Sequence, residues 1–241
     1  MPSPDNLDMV FNEVVYDNNA QEVFKKLNDL DNKRDVLVSR WVWELIQNAR
    51  GTAGSQNTLH IEVVLERDKL LFRHNGARFK DREIAHLIYH GSSKHDLGDI
   101  GKFGSGFITT HLLSRQVRVR GTLADGRPFD FILNREGNDA AELRAAMEKS
   151  KTDFIKSLAL KPEAVPAPFT TEYAYPVNEP IREVVFKGIQ ALHLSAPYIF
   201  AFNFMLQRLK ISTPDESVDL TRKELHPLFP ASRYQGLYLN D

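Results

Sequence analysis

The chain has 241 residues, of which 42% are hydrophobic and 26% are charged, with a formal net charge of −1 and no cysteine. This composition is typical of a globular protein of one large domain or two small ones. It argues against electrostatic binding to nucleic acid or to a membrane surface, and it excludes disulfides and cysteine metal sites. The polar first residues lack the apolar core of a signal peptide, and no apolar run is long enough to span a bilayer, so we expect a cytoplasmic protein.

Helices and strands are predicted in turn along the first half of the chain. Apolar residues at helical spacing predict helices over 18–30, 34–50 and 81–90, and glycines at 51 and 54 are expected to end the second. Alternating β-branched residues predict a hairpin of strands 58–65 and 69–73. A loop over 90–98 and a helix over 103–114 are expected to follow.

The second half begins with two strands, 116–122 and 128–133, joined at the hairpin signal Asp125-Gly126. The later predicted elements are a helix over 139–158, a proline-broken linker over 161–168, a strand over 169–177, helices over 179–193 and 197–207, and a strand over 209–212. Strands and helices come in blocks. This order favours an α+β two-layer sandwich, with helices on one face of a mainly antiparallel mixed sheet.

Glu44 and Asn48 lie one turn apart on the predicted helix 34–50, so their side chains share a face. A carboxylate there can take a proton from an attacking water, and a carboxamide oxygen can bind Mg²⁺ without competing for that proton. A solvated polar face is the alternative, and it is the commoner meaning of this spacing when it occurs alone.

Two glycine-containing segments follow. The first is His74-Asn75-Gly76, for which a plain surface turn is an equal alternative. The second is Gly101-Lys102-Phe103-Gly104-Ser105-Gly106-Phe107, which is neither a P-loop nor a dinucleotide fingerprint. Its glycines let the backbone approach phosphate oxygens, a following helix would favour an anion, and Lys94 and Lys102 add countercharges. A flexible surface loop is the alternative.

Taken together, these segments resemble the GHKL, or Bergerat-fold, ATPase superfamily, and most closely its sacsin-type and ninety-kilodalton heat-shock chaperone-like branch. Glu44-Leu45-Ile46-Gln47-Asn48-Ala49 is similar to the N box, and His74-Asn75-Gly76-Ala77-Arg78-Phe79 to the first glycine box. Gly91-Ser92-Ser93-Lys94 and 100–107 resemble the lid end and second glycine box, and 171–177 the later threonine strand. The resemblance covers about residues 30–212.

The resemblance implies a single ATP-binding domain over 1–241, with a lid at about 80–100 and a helical insertion at about 134–168. It implies that Glu44 is the general base and that Asn48 holds Mg²⁺. The residues implied to contact ATP are His74, Gly76 and Thr171 at the base, and Lys94, Gly101, Lys102, Phe103, Gly104, Ser105, Gly106 and Phe107 at the phosphates. A slow ATPase that acts as a nucleotide-gated switch is the implied function, with a protein partner or self-association.

Three residues depart from the family pattern. His74 stands where the family usually has an aspartate that accepts from the adenine amino group, and a neutral imidazole offers one acceptor nitrogen. Arg78 replaces a second glycine, and Gly51 stands near a position that is often acidic. The alternative function is therefore a non-hydrolysing interaction module. A histidine kinase or a topoisomerase subunit would need further domains, and the chain could be the N-terminal part of a longer protein.

Overall fold

The computed structural model describes residues 4–53, 58–89, 106–223, 226–227, 235–236 and 239–240. Within these ranges the chain forms six α-helices: α1 (Pro4–Asn32), α2 (Arg34–Leu37), α3 (Arg40–Thr52), α4 (Asp81–Tyr89), α5 (Ala140–Leu160) and α6 (Glu179–Phe202). A six-residue 3-10 helix covers Phe107–Leu112. The strands of these ranges are β1 (Leu59–Leu65), β2 (Lys69–His74), β3 (Gln116–Thr122), β4 (Pro128–Asn134), β5 (Thr171–Pro176), β6 (Leu206–Ser212), β7 (Ser217–Arg222), β8 (His226–Pro227), β9 (Gln235–Gly236) and β10 (Leu239–Asn240).

Eight of the strands form one sheet in the order β10-β7-β6-β1-β2-β5-β3-β4, and β8 pairs with β9 separately. Neighbouring strands of the sheet are antiparallel except β1 and β6, which are parallel. The α+β class with a mainly antiparallel mixed sheet is therefore confirmed. The predicted strands from 58 to 177 match β1 to β5 within two residues at each end.

The core lies between one face of this sheet and the helices. On β1, Ile61 and Val63 are buried, and they belong to the same apolar cluster as Trp41 of α3 and Val185 of α6. Gly188 of α6 lies directly against the Trp41 indole, and a methyl group at position 188 would overlap that ring. None of the helices in the described ranges is long and apolar enough to cross a membrane.

Several predicted helices have other bounds in the structure. Helix α1 begins at Pro4 instead of 18. Its first half also carries apolar residues at helical spacing, but these are exposed: Leu7, Val10, Phe11, Val14 and Val15. The buried apolar residues of α1 lie in its second half, from Ala20 to Leu30. The predicted helix 34–50 is divided into α2 and α3, and α2 buries no side chain that would hold it in line. In the described part of the predicted helix 103–114, the chain forms the shorter 3-10 helix.

The C-terminal predictions also differ. The helices predicted over 179–193 and 197–207 are replaced by the single helix α6, which contains Pro197 and ends at Phe202; residues 206–207 of the second prediction belong to β6. The buried stripe continues on both sides of that proline, through Leu192, Ala196 and Phe200, so packing outweighs the lost hydrogen bond. The last predicted strand, 209–212, begins three residues earlier as β6, and strands β7 to β10 were not predicted.

The face of the sheet away from the core carries side chains of alternating charge on seven adjacent strands, which we call the charge ladder. In sheet order its members are Asp219, Lys210, Glu62, Arg73, Glu172, Arg120 and Asp130. Glu172, the fifth member, is 3% exposed and accepts from Arg73 Nε at 2.6 Å and from Arg120 Nη1 at 3.1 Å. Opposite charges that face each other on neighbouring strands stabilise the pairing of those two strands.

Helix α5 lies along the edge strand β4. The backbone N–H groups of Asp130 and Asn134 donate to the hydroxyls of Ser157 and Ser150, at 3.3 and 2.9 Å. The ring of Phe154 packs against Phe129 and Phe131 of the strand, with centroids 5.5 Å apart in each case. The expected helical insertion therefore satisfies donors that an open sheet edge would expose.

Candidate functional site

Glu44 and Asn48 are both buried, each with 6% of its surface exposed. They lie on α3 beside Trp41 and Leu45, which are fully buried and hold the helix in the core. A solvated polar face is therefore not the explanation for this pair. Because buried polar groups are costly unless partnered, the contacts of these two side chains carry the functional argument.

The two oxygens of the Glu44 carboxylate face different partners. Oε1 accepts from Arg40 Nε at 3.1 Å, an ion pair one helical turn apart whose arginine is largely exposed. Oε2 lies against the backbone of Gly106, where a methyl group would overlap it. The end of the second glycine segment therefore contacts the proposed general base, and a residue with a side chain at 106 would displace this carboxylate.

Some buried polar atoms near these segments lack hydrogen bonds. Among the residues that the structure describes, neither Asn48 Nδ2 nor Thr171 Oγ1 has a partner. An unsatisfied buried group costs about 1–3 kcal/mol, so a ligand that pairs with it would stabilise the protein. Mg²⁺ would be bound through the Oδ1 oxygen of Asn48, because that ion takes oxygen ligands and keeps several waters, whereas Nδ2 is a donor that could pair with a phosphate oxygen. The described residues contain no cluster of three or more His, Asp or Glu that could hold a metal.

The first glycine segment contacts the C-terminal end of α3. Ala77 N donates to Thr52 O at 3.0 Å, and a methyl group at Gly76 would overlap the Thr52 hydroxyl. The hydroxyl of Thr170 donates to Gly76 O at 2.6 Å, which ties the segment to the start of β5. Helix α3 thus contacts both glycine segments. Glu44 in the middle of the helix contacts Gly106, and Thr52 at its C-terminal end contacts Gly76.

His74 is 1% exposed and lies opposite Thr171 in the register of β2 and β5. The Gly76 N–H donates to His74 Nδ1 at 3.1 Å, so Nδ1 carries no hydrogen and the neutral ring has its N–H at Nε2. Burial lowers the pKa of His74 to about 4, which keeps the ring neutral at physiological pH. The single acceptor nitrogen expected for the adenine amino group is therefore already engaged within the chain.

The remaining phosphate-contacting predictions fall largely outside the described residues. These are Lys94, Gly101, Lys102, Phe103, Gly104 and Ser105, together with the lid beyond Tyr89. Gly106 and Phe107 are described, and the Phe107 ring lies 5.3 Å from that of Tyr173 on the sheet. Phe107 is thus anchored in the core, as its apolar character indicates. Phosphate binding by this segment stays a prediction.

Three residues that contact the predicted site residues Glu44 and Gly76 were not themselves predicted: Arg40, Thr52 and Thr170. Arg40 stands four residues before Glu44, an ion-pair spacing on a helix that could have indicated it. Thr52 and Thr170 carry no such signal. They reach the first glycine segment only because α3 and β5 come together around it.

Two buried histidines predict acid sensitivity. Burial lowers the pKa of His74 to about 4 and that of His111 to about 3, against 6.5 for an unperturbed side chain. Below pH 6.5 the unfolded chain binds protons that the folded chain does not, so the free energy of unfolding falls as pH falls toward 4. At about pH 5 each histidine is expected to cost about 2 kcal/mol relative to neutral pH.

Urea unfolding at about pH 7.5 and about pH 5 measures this difference. His111→Gln should reduce the loss by about 2 kcal/mol, whereas His60→Gln, at a half-buried position on β1, should reduce it less. Equal losses in wild type and His111→Gln would contradict the assignment of acid sensitivity to this ring.

The geometry thus connects α3, both glycine segments and the start of β5 through the described residues. Glu44, Asn48, His74, Gly76, Gly106 and Thr171 belong to this one region of the core face. A scan against protein-family models matches no family, and a search of curated proteins finds no match to the chain.

Proposed function

We propose that the chain is a Mg²⁺-dependent ATP-binding domain of the GHKL, or Bergerat-fold, type. It hydrolyses ATP slowly and acts as a nucleotide-gated conformational switch for a protein partner. The observation that carries the proposal is the contact between the Glu44 carboxylate and Gly106, which joins the candidate base to the candidate phosphate-binding segment. The unpartnered Asn48 Nδ2 and Thr171 Oγ1 support it, because a ligand could satisfy them.

Each residue has a chemical role in this proposal. Mg²⁺, when bound, would neutralise charge on the phosphates, and Asn48 would supply its protein ligand. Glu44 would accept a proton from the attacking water through Oε2, while Arg40 keeps the carboxylate oriented through Oε1. Because Gly106 has no side chain, the Glu44 carboxylate can lie directly against its backbone.

A switch role is supported by the way α4, which begins the expected lid, is attached. Tyr89 at its end donates to Glu148 of α5 at 2.7 Å and stacks on Tyr16 of α1 with ring centroids 4.7 Å apart. Arg135 donates to Leu87 O at 2.8 Å. A nucleotide-dependent change in the position of α4 would therefore also change its contacts with α1 and α5, which could present the nucleotide state to a partner.

Calorimetry with Asn48→Ala tests the binding part of the proposal. Wild type should bind ATP more tightly with Mg²⁺ than with a chelator, and Asn48→Ala should lose about tenfold or more of the Mg²⁺-dependent affinity. Gln47→Ala, an exposed neighbour on α3, is the matched control and should bind as wild type does. An unchanged Mg²⁺-ATP affinity in Asn48→Ala would remove this residue from the metal site.

The second candidate function is a non-hydrolysing interaction module with a degenerate nucleotide site. His74 favours it, because its acceptor nitrogen is bound to Gly76 and its remaining ring nitrogen is a donor. An adenine amino group, itself a donor, gains no hydrogen bond there. Absence of heat on titration of ATP and ADP into wild type, with Mg²⁺ present, would select this candidate over the first.

A further inference from the structure

The second half of α6 is apolar on both of its faces. One face packs on the core through Leu192, Ile199 and Phe200. The opposite face carries three large side chains at successive four-residue steps, which we call the α6 stripe: Leu194, Tyr198 and Phe202, with 74%, 67% and 77% of their surfaces exposed. A helix that is apolar all round is normally covered on all sides, so this face is expected to be buried in the functional assembly.

The α6 stripe is uncharged and firmly held. No Asp, Glu, Lys or Arg occurs from Leu194 to Gln207. Arg222 of β7 donates to the carbonyls of Phe200 and Asn203 and lies over the ring of Phe204, 6.0 Å from its centroid, which fixes the end of the helix. Nothing in the stripe selects a charged partner, and nothing in it repels a second copy.

The spacing of the stripe is symmetric about Tyr198. Leu194 lies four residues before it and Phe202 four residues after it. An antiparallel copy of α6 therefore places Tyr198 against Tyr198 of the other copy. It also forms two equivalent contacts, in each of which Leu194 of one copy meets Phe202 of the other. Residues four apart form the ridges that most often interdigitate when two helices cross, and self-complementary patches are what a two-fold interface requires.

The exposed area is large enough for such an interface. An aromatic side chain buries about 150–250 Å². The stripe and the exposed Phe204, which lies just beyond the end of α6, together offer roughly 500 Å² per copy. Two copies would bury about 1,000 Å² from these side chains alone, the lower limit of a specific interface. A patch of about 500 Å² is near the upper end of the largest apolar patches on monomeric proteins, and patches of that size are often functional.

We propose that the chain forms a two-fold symmetric homodimer through the α6 stripe, with Tyr198 on the axis. The proposal concerns a surface made by α6 and does not depend on nucleotide binding. We expect a dimer of micromolar affinity, at the weak end of the range that specific interfaces show.

Sedimentation equilibrium of wild type and single variants tests the interface. Phe202→Lys and Leu194→Glu should each raise the dimer dissociation constant by about 100-fold, because each places a charge against an apolar neighbour in both symmetric contacts. Val36→Lys and Leu160→Lys introduce the same charge at positions that are 85% and 80% exposed outside the stripe, and should leave dimerisation unchanged.

Mixing the Phe202→Lys and Leu194→Glu variants tests the register. Each variant alone should be monomeric at concentrations where wild type is dimeric. An equimolar mixture should dimerise, since the introduced lysine and glutamate then face each other in one contact while the other contact keeps its native Leu194 and Phe202. Wild type that stays monomeric at millimolar concentration, a dimer insensitive to both substitutions, or a mixture that stays monomeric would each overturn the proposal. So would a monomer that binds phosphatidylcholine vesicles through Phe202, because lipid would then be the occupant.

Discussion

Replacing Glu44 by alanine is expected to lower ATP turnover by about 10²–10⁴-fold while leaving ATP affinity within a few-fold of wild type. The carboxylate is 6% exposed and contacts Gly106 through Oε2, so it is fixed where the proposed phosphate-binding segment ends. Loss of a general base acts on the chemical step and not on ground-state binding. Phosphate release in steady state and nucleotide affinity by calorimetry separate the two effects.

Glu13→Ala, an exposed carboxylate on α1, is the control and should retain full turnover. Gly106→Ala is a second way to reach the same site. Its methyl group would push the end of the flexible Glu44 side chain, so turnover should fall while the melting temperature stays close to wild type. Retained turnover in carefully purified Glu44→Ala protein would show that another group activates the water.

Glu172→Gln is expected to reduce the free energy of unfolding by about 3 kcal/mol. Glu172 accepts from Arg73 at 2.6 Å and from Arg120 at 3.1 Å, and its side chain is 5% exposed. Removing its charge weakens two ion pairs at once and leaves Glu62 and Asp130 as the remaining carboxylate partners of the partly buried Arg73 and Arg120. Urea unfolding at neutral pH measures the change, and high salt should alter it little because the contacts are shielded from ions.

Asp219→Asn is the matched control at the exposed end of the ladder. Its ion pair with Arg208 is 37% exposed on the aspartate side, so the loss should be less than about 1 kcal/mol. Equal losses for the two substitutions would mean that burial does not govern the strength of the ladder.

Local patterns predicted the parts of the fold that form locally. The β1–β2 and β3–β4 hairpins follow from alternation and turn residues, and the pairing of Glu44 with Asn48 follows from the helical period. The parallel pairing of β1 with β6 joins residues far apart in the chain, as Leu59 and Leu206 show, and has no local signal. The charge ladder could not be predicted from the sequence for the same reason, because its members become neighbours only through the order of the strands in the sheet.

Some features of the candidate site were likewise predicted from the sequence, and others were not. Residue types and spacing indicated Glu44, Asn48 and the glycines. The hydrogen at Nε2 of His74 could not be predicted, because it depends on the N–H of Gly76 turning back onto the ring. The packing of Gly106 against Glu44 likewise depends on how α3 and the following 3-10 helix meet.

The position of α5 along β4 limits how this sheet can be extended by another polypeptide. At that edge, Ser150 and Ser157 already occupy backbone donors that an added strand would need. At the opposite edge, β10 pairs with β7 only at Thr221 and Arg222 within the described residues. Strand addition by a partner, a recurrent mode of peptide recognition, is therefore hindered at the β4 edge, where α5 already occupies two of the backbone donors.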